Sequence, residues 1–507
     1  MIKEVLPPMI CFFSSFKYSK FLIKSLVFLV FSLFFLASPR AERVLDEQEV
    51  MARVLTRNLS VLATSYSPEM AKTLIDQAKS RFDTLISGQA YYNLDQSDQQ
   101  SIVFGTDNRQ LLWQAQATKR FSHGVEGSLS FSNQRDSTNS AFATNPNFYT
   151  TVLSLEVRAP LLQNRLGFSD RHSVKVAENQ VETTVLEGLT FLGNQAYEAM
   201  QTYWNWVAAR QSVVLAQAFL TRAQDFYQKN QNKKGLGLSE ETDLVAAEAL
   251  VLQREAELKA AQDLALDWEK LLALLLDLPL EEKLIPKESS FTSLTKINSL
   301  EASFKEASLL RTDYLSLQSQ AKEKGLQIAL AKDSKLPRVD FFTSLKLNSV
   351  DPSYGGALGE TFQADNPNWL AGINFSLNFE NRLAKSALES SKLAKAQLLY
   401  QIKALESQME QQIRLSLQEL KLQRGQKDRY GRLVGLQKRK LRLEEEKYFQ
   451  GRSSSDLIIR YQEEVLNAER LLLNASLQKK MAELQYKHAM GALIPEDKRH
   501  LPEVPLN

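Results

Sequence analysis

The chain has 507 residues, 44 % of them hydrophobic and 24 % charged, which is enough material for two or three ordinary domains. Its formal net charge of +3 is too small to indicate nucleic-acid binding, and we expect no nucleic-acid partner. The single cysteine, Cys11, precedes the apolar part of a predicted signal peptide. The mature chain is therefore predicted to have no disulfide and no thiol chemistry.

The N terminus has the three parts of a secretory signal peptide. Basic residues, including Lys17 and Lys24, precede an apolar run at 26–36, and small residues follow. The run is shorter than the roughly 18 residues of a spanning helix, although an N-terminal membrane anchor is the alternative interpretation. We predict that residues 1–41 direct export and are removed.

The last third of the chain is predicted to form two very long helices, about 381–450 and 456–490. At about 1.5 Å per residue the first would be on the order of 100 Å long. The Gly- and Ser-containing break at 451–455 allows the two helices to pack antiparallel. Apolar residues of the first helix recur every 3.5 residues on average, as in a coiled coil, at Leu399, Ile402, Leu405, Met409, Ile413, Leu417 and Leu420.

An internal twofold repeat organises the mature chain. Asn164, Arg165 and Leu166 match an identical Asn-Arg-Leu sequence that begins 217 residues later at Asn381. Each copy is predicted to contain short helices, strands and two long helices. The boundaries are 42–278 for the first copy (strands about 86–157, long helices about 168–234 and 239–278), 279–299 for a linker, 300–493 for the second copy (helix about 300–333, strands about 338–379) and 494–507 for a C-terminal tail.

Several stretches alternate between apolar and polar residues. Trp369, Ala371, Ile373 and Phe375 alternate with polar or small residues over about ten positions, the length of a membrane-spanning strand. A sheet half-buried on a soluble periplasmic core is the alternative. The predicted strands are Ile86–Leu94, Trp113–Phe121, Val125–Asn133, Thr151–Val157, Val339–Asn348 and Trp369–Phe379.

One chain supplies four strands, or six if the hairpin between Leu112 and Asn133 joins them, and a closed membrane barrel needs at least about eight. Several copies must therefore share one barrel, because open strand edges are not tolerated in lipid.

The order of these elements resembles the outer-membrane efflux protein family typified by TolC. The resemblance covers about residues 45–493, with Pro160 and Gly167 before the first long helix and Tyr203 and Trp204 within it. It implies an α+β membrane protein. Three copies would form a transmembrane β-barrel of twelve strands, or eighteen with the extra hairpin, continuous with a periplasmic α-helical coiled-coil barrel.

The resemblance also implies a function. A homotrimer of this kind, in the outer membrane of a Gram-negative-type cell and in contact with its lipid, is expected to be a passive, porin-like exit duct for drug efflux or type I secretion. Its expected partners are a periplasmic adaptor (membrane fusion) protein and an inner-membrane pump of the RND, ABC or MFS type. A non-channel periplasmic coiled-coil adaptor or structural protein is the alternative function.

The first helical break carries a local match to the same family. The sequence GLSEETDLVAAEA has the family's spacing, which implies a periplasmic latch made by Asp243, Tyr448 and Arg452. Helix capping by Ser239 or Ser455, with acids near the helix N-termini, is the alternative role for this region.

The family narrows its entrance with two acidic rings three residues apart. Asp456 occupies the first of these positions, but Ile459 occupies the second, so a single acidic ring is expected, with Arg460 acting against its preference for cations. We expect the adaptor to contact the tips of the helical pairs at Gly235, Gly237, Leu238, Ser239, Gly451, Ser453 and Ser454.

No sequence motif indicates an enzyme, and no cofactor is expected. The four histidines, including His488, are too far apart in sequence for a metal site, and each is predicted to lie at the surface or in a turn. The tryptophans Trp204, Trp206 and Trp268 are predicted to be packing residues in the middle of the helical tube.

Overall fold

A computed structural model describes residues 42–98, 100–101, 103, 105–235, 240–287, 291 and 297–503. The predicted signal peptide, Cys11 included, lies outside these residues. The helices are α1 (Glu47–Arg57), α2 (Leu59–Lys79), α3 (Phe168–Gly235), α4 (Glu241–Leu275), α5 (Leu300–Leu310), α6 (Thr312–Asp333), α7 (Tyr354–Gln363), α8 (Arg382–Phe449) and α9 (Ser455–Ala489). The strands are β1 (Arg43–Leu45), β2 (Thr84–Asp95), β3 (Asn108–Arg120), β4 (Glu126–Thr138), β5 (Asn147–Pro160), β6 (Leu284–Pro286), β7 (Arg338–Asp351) and β8 (Pro367–Ser376).

Six strands form one antiparallel sheet in the order β2-β3-β4-β5-β7-β8. The sequence did not decide whether the hairpin of β3 and β4 joins the other strands. In the structure these two strands lie inside the sheet, between β2 and β5. Strands β2 and β8 are its two edges.

The two faces of the sheet differ in polarity because side chains alternate along each strand. One row of cross-strand neighbours is entirely apolar: Ile86, Ala117, Leu129, Leu155, Leu345 and Trp369. The next row, on the opposite face, contains only polar residues: Ser87, Gln116, Ser130, Ser154, Lys346 and Asn368. The apolar row crosses β3 and β4, and the rings of Trp113 and Phe131 lie 5.3 Å apart on the same face. The row of Trp113 continues on that face with the polar residues Asn133, Thr151 and Ser349.

The four long helices pack side by side in the order α8-α9-α3-α4, so that α8 and α4 are the lateral edges of the layer. The predicted coiled-coil seam is buried in its second part, where Met409, Ile413 and Leu420 are fully covered and Leu417 is nearly so. Ile402 and Leu405 are only partly buried, and Leu399 is 47 % exposed. Within the described residues, each helix is either too short or too polar to cross a bilayer by itself.

The middle of the helical layer holds the largest hydrophobic core. Tyr203, Trp204 and Trp206 of α3 are buried there against the short helices and the parallel pair β1–β6, which the sequence analysis missed. Trp268 packs at the edge of the same cluster.

Four local predictions were wrong. The helix predicted at about 300–333 is broken at Arg311, whose backbone is extended, where the backbone of Gly491 passes close by. The loop predicted between the last two strands contains α7, and the last strand ends at Ser376 rather than Phe379. His488 is half-buried within α9 and stacks on Tyr197 at 4.4 Å, so it is neither a surface nor a turn residue.

Candidate functional site

The tips of the two helical pairs lie together at the end of the molecule opposite the sheet. Phe226 of α3, Ala247 of α4, Tyr448 of α8 and Ile458 of α9 form one buried apolar cluster. Helices from both halves of the chain therefore meet at the position where the sequence predicted a latch.

The centre of this cluster is the phenol of Tyr448. Its Oη donates a hydrogen bond to Asn230 Oδ1 at 2.5 Å and lies 2.8 Å from Ser455 Oγ. Asn230 is fully buried, and its Nδ2 donates to the carbonyl of Phe226 at 3.0 Å. This network ties α8 to α3 and to the first residue of α9.

A lysine and an acid surround the same ring. Lys233 Nζ lies 3.6 Å from the centre of the Tyr448 ring and donates to the Tyr448 carbonyl at 3.3 Å. Burial raises the pKa of Tyr448, and the negative charge of Asp243 raises it further, against hydrogen bonds to Ser455 and Asn230. The phenol is therefore a neutral donor at physiological pH.

Of the three predicted latch residues, Asp243 and Tyr448 lie close enough for the charge of Asp243 to raise the pKa of Tyr448. Burial lowers the pKa of Lys233, and Asp243 opposes that shift. The Arg452 guanidinium instead hydrogen-bonds Gln450, two residues away, and its backbone N–H donates to the Lys447 carbonyl at 2.9 Å.

Asp243 also has the alternative role that the sequence allowed. It forms a capping box with Glu240, in which the Glu240 N–H donates to Asp243 Oδ2 at 3.4 Å. The cap of α9 is Ser454 rather than Ser455, because Ser455 is already helical and its hydroxyl bonds Tyr448.

The predicted entrance residues lie in the first turns of α9. Asp456 and Arg460 are exposed and four residues apart, hence on one face of the helix, while Ile459 is half-buried beside the tip cluster. Arg460 lies 5.7 Å above the Tyr461 ring.

The adaptor-contact prediction is only partly within the described residues. Gly235 ends α3, and Gly451 has the left-handed backbone, φ 71°, that reverses the chain after α8. Ser453 Oγ donates to Glu444 at 2.7 Å, and Ser454 is exposed. Gly237, Leu238 and Ser239 lie outside the described residues.

A second site of close packing joins the sheet to the helices. A Cβ on Gly167, just before α3, would lie 2.1 Å from the carbonyl oxygen of Ser122 in the β3–β4 turn. Asp170 is buried at the same junction and binds Arg81 at 3.1 Å, with Arg120 of β3 at 3.8 Å. The β3–β4 hairpin therefore packs against the start of α3, at the end of the sheet nearest the helices.

Sequence reasoning missed Asn230, Lys233 and Ser455 as partners of Tyr448. The sequence did contain a signal for Asn230. Phe219, Ala223 and Phe226 follow helical spacing along one face, and Asn230 is the polar residue that occupies the next position on that face. Nothing in the sequence paired it with a residue 218 positions away. Among the described residues, no group of three or more His, Cys, Asp or Glu side chains is placed to hold a metal.

Comparison with protein-family models gave no match, and comparison with curated proteins gave none either. Solved structures match over most of the chain. The CmeC outer membrane channel of Campylobacter jejuni has 16 % sequence identity and a TM-score of 0.64, with 91 % of this chain and 90 % of that chain covered. The outer membrane protein VceC of Vibrio cholerae has 14 % identity and a TM-score of 0.63, with 88 % and 96 % covered.

The MtrE outer membrane channel of Neisseria gonorrhoeae, solved in its open state, has 17 % identity and a TM-score of 0.62, with 88 % of this chain and 89 % of that chain covered. The similarity extends through both the sheet and the long helices, since it leaves out only about a tenth of the chain. The resemblance predicted from the sequence is therefore confirmed at the level of structure: the chain has the fold of the TolC-like outer-membrane channels.

Proposed function

We propose that this protein is the outer-membrane exit duct of a tripartite efflux pump or a type I secretion system. The observation that carries the proposal is the sheet, which is apolar on one face, polar on the other, and continuous with helices about 100 Å long. A soluble core does not explain the apolar face, because Trp369 and Phe375 are 72 % and 66 % exposed on it.

Three copies of the chain would close one barrel. The described sheet leaves the hydrogen-bonding groups of two edge strands for a neighbour, and lipid tolerates no open edge. Three copies of six strands give eighteen, and barrels of 16–18 strands enclose an aqueous channel. The apolar row that continues across the β3–β4 hairpin through Ala117 and Leu129 supports eighteen strands over twelve.

The tip cluster would act as the periplasmic gate. Tyr448, Asn230, Ser455 and Asp243 hold α8 and α9 against α3 and α4, so that outward movement of α8 requires these contacts to break. The single carboxylate of Asp456 would form the acidic ring at the entrance, with Arg460 weakening its preference for cations.

A periplasmic adaptor would bind the tips around Gly235, Gly451, Ser453 and Ser454, and an inner-membrane pump of the RND, ABC or MFS type would supply the energy. No enzymatic step is assigned to this chain. Its place would be in the outer membrane, with the helices in the periplasm.

The test is conductance of the purified, detergent-extracted protein in a planar lipid bilayer. We expect discrete conducting units from a trimer. A protein that leaves the membrane on carbonate washing and inserts into no bilayer would favour the periplasmic adaptor or structural alternative.

A further inference from the structure

We infer that the helical tube is closed by a charge-matched seam between copies, in which the basic outer face of α8 packs on the acidic outer face of α4 of the next copy. The inference rests on the proposed assembly of identical chains into one ring and names the surface that joins them.

The topology selects these two helices. Strand β8 leads into α8, and both lie at an edge of their layer, while β2 and α4 are the opposite edges of the sheet and of the helical layer. A rotation that pairs β8 with the next copy's β2 therefore brings α8 towards that copy's α4.

Each of the two helices has a second apolar stripe opposite the one that it buries. On α8 Leu436 and Leu443, seven residues apart, are exposed, whereas Val434 and Leu441 are buried. Leu415 and Leu422 continue the seven-residue spacing and are also exposed, but they border the groove between α8 and α9. On α4 the exposed stripe is Val245, Leu252 and Leu266. Repeats of seven residues are typical of coiled-coil seams, and among the described residues Leu436 and Leu443 of α8 and Val245 and Leu252 of α4 remain exposed in one copy.

The charges beside the two stripes are opposite in sign. Between 421 and 442 of α8 the exposed charged residues are seven Lys or Arg and one Asp, of which Lys438 and Lys440 pair with Glu469 and Glu464 of α9 in the same copy. On α4 the exposed charged residues are five Asp or Glu and two Lys. Charge of one sign along a helix edge disfavours self-association of that edge and favours a partner of the other sign. This complementarity identifies the occupant as a second copy of this chain, and no further protein is needed to cover the face.

The register follows from contacts within one copy. Arg254 of α4 contacts Glu463 of α9, and Lys440 of α8 contacts the adjacent Glu464 at 2.6 Å. Arg254 and Lys440 therefore lie at the same distance from the tip. Glu255 and Arg439, the chain neighbours of Arg254 and Lys440, are both exposed at the same distance from the tip. Rotation about the ring axis does not change that distance, so the two residues of adjacent copies lie level with each other. We assign an intermolecular ion pair to Glu255 and Arg439.

Charge reversal in the full-length protein tests the pair. Arg439→Glu places like charges together and is expected to reduce the amount of assembled oligomer in detergent extracts by about tenfold or more, since like-charge contacts at an interface cost several kcal/mol. Glu255→Arg should do the same, and the double variant should restore assembly. Lys322→Glu, a reversal on the exposed surface of α6, which packs between α3 and α8 of one copy, is the control and should assemble normally.

Cysteine crosslinking tests the register independently of charge. The mature chain is predicted to lack cysteine, so Leu443→Cys with Leu252→Cys is expected to form disulfides between copies and a covalent ladder on denaturing gels. Leu443→Cys with Leu274→Cys is the control, because residue 274 is about 33 Å farther along the same helix at 1.5 Å per residue. Normal assembly of Arg439→Glu, or no ladder from the first pair in a conducting wild-type background, overturns the seam and leaves the channel function standing. A soluble, non-conducting monomer overturns both.

Discussion

The core in the middle of the helices and the outer face of the sheet use the same residue types in opposite ways. Trp206 and Tyr203 are fully buried inside one chain, whereas Trp369 is 72 % exposed. The first region is complete in a single copy, and its hydrophobic stabilisation comes from burial on folding. The second gains that stabilisation only from something outside the chain, which we propose is lipid. The same side chain is therefore expected to support folding in one region and membrane insertion in the other.

Truncation of the two tryptophans separates these roles most strongly. Trp206→Ala removes the largest part of a fully buried side chain and is expected to lower the free energy of unfolding by about 3–5 kcal/mol. The measurement is denaturant unfolding of the purified protein followed by its helical circular dichroism.

Trp369→Ala is the matched control. Its side chain is exposed within the chain, so we expect little change in unfolding of the helices but less protein inserted in the outer membrane. Equal losses of helical stability in both variants would contradict the division between the two regions. Trp206→Phe should be milder, because the indole Nε1 has no hydrogen-bond partner among the described residues.

A charge on the sheet tests whether the β3–β4 hairpin lies in lipid. Leu129→Arg places a guanidinium on the apolar face of β4 and should destabilise the membrane-embedded state by about 2–4 kcal/mol if that position is near the bilayer midplane. Its cross-strand equivalent on β7, Leu345→Arg, should have a similar effect. The measurement is the yield of protease-resistant protein in isolated outer membranes.

Ser130→Arg is the control for this experiment, since Ser130 points to the polar face of the same strand and should tolerate the charge. If Leu129→Arg inserts like the wild type while Leu345→Arg does not, the hairpin is outside the lipid. The barrel would then have twelve strands from three copies.

The tip cluster is intermediate between the two regions in the stability it is expected to provide. Its residues are buried within one chain, as in the core, but the cluster is small. Tyr448→Phe removes the hydrogen bonds to Asn230 and Ser455 and leaves a fully buried amide oxygen without its donor, at a cost of about 1–3 kcal/mol. We propose that these bonds hold the closed arrangement, so single-channel conductance in a planar bilayer should rise when they are lost.

Asp243→Ala should raise conductance as well. Arg452→Ala is the control, because the described hydrogen bond of that guanidinium is to Gln450 on the same segment. Conductance unchanged in both Tyr448→Phe and Asp243→Ala would remove the latch assignment.

The sequence was sufficient for features that depend on local periodicity. The seam through Met409 and Ile413 and the strand around Ile373 were readable because apolar residues repeat about every 3.5 positions in one and every two positions in the other. The chain reversal at Gly451 was readable from its residue type alone.

Features that depend on distant pairs were not readable. Asn230 and Tyr448 are 218 positions apart, and either could have bonded another partner. The break in the helix at Arg311 lies where the backbone of Gly491, 180 positions away, comes close, and no pattern in the sequence indicated that approach. Helix α7 lies in a stretch rich in glycine, where local preference favours a loop, and Thr361 Oγ1 holds it to the backbone of β5 at 3.3 Å.

The smallest expected effect concerns pH and a residue of the helical region. Burial, and then the positive charge of Arg311, lowers the pKa of His488, against the opposing charge of Asp313. The folded protein therefore binds fewer protons than the unfolded chain, in which histidine titrates near pH ~6.5. The stability that the neutral form of His488 contributes to the folded state is fully present above that pH. It is lost as the pH falls towards the lower pKa of the folded state. His488→Gln keeps a polar group near Asn194, which bonds the imidazole at 3.0 Å, and should flatten the decline in melting temperature between pH 7 and pH 5. An unchanged decline would assign the acid sensitivity to other groups.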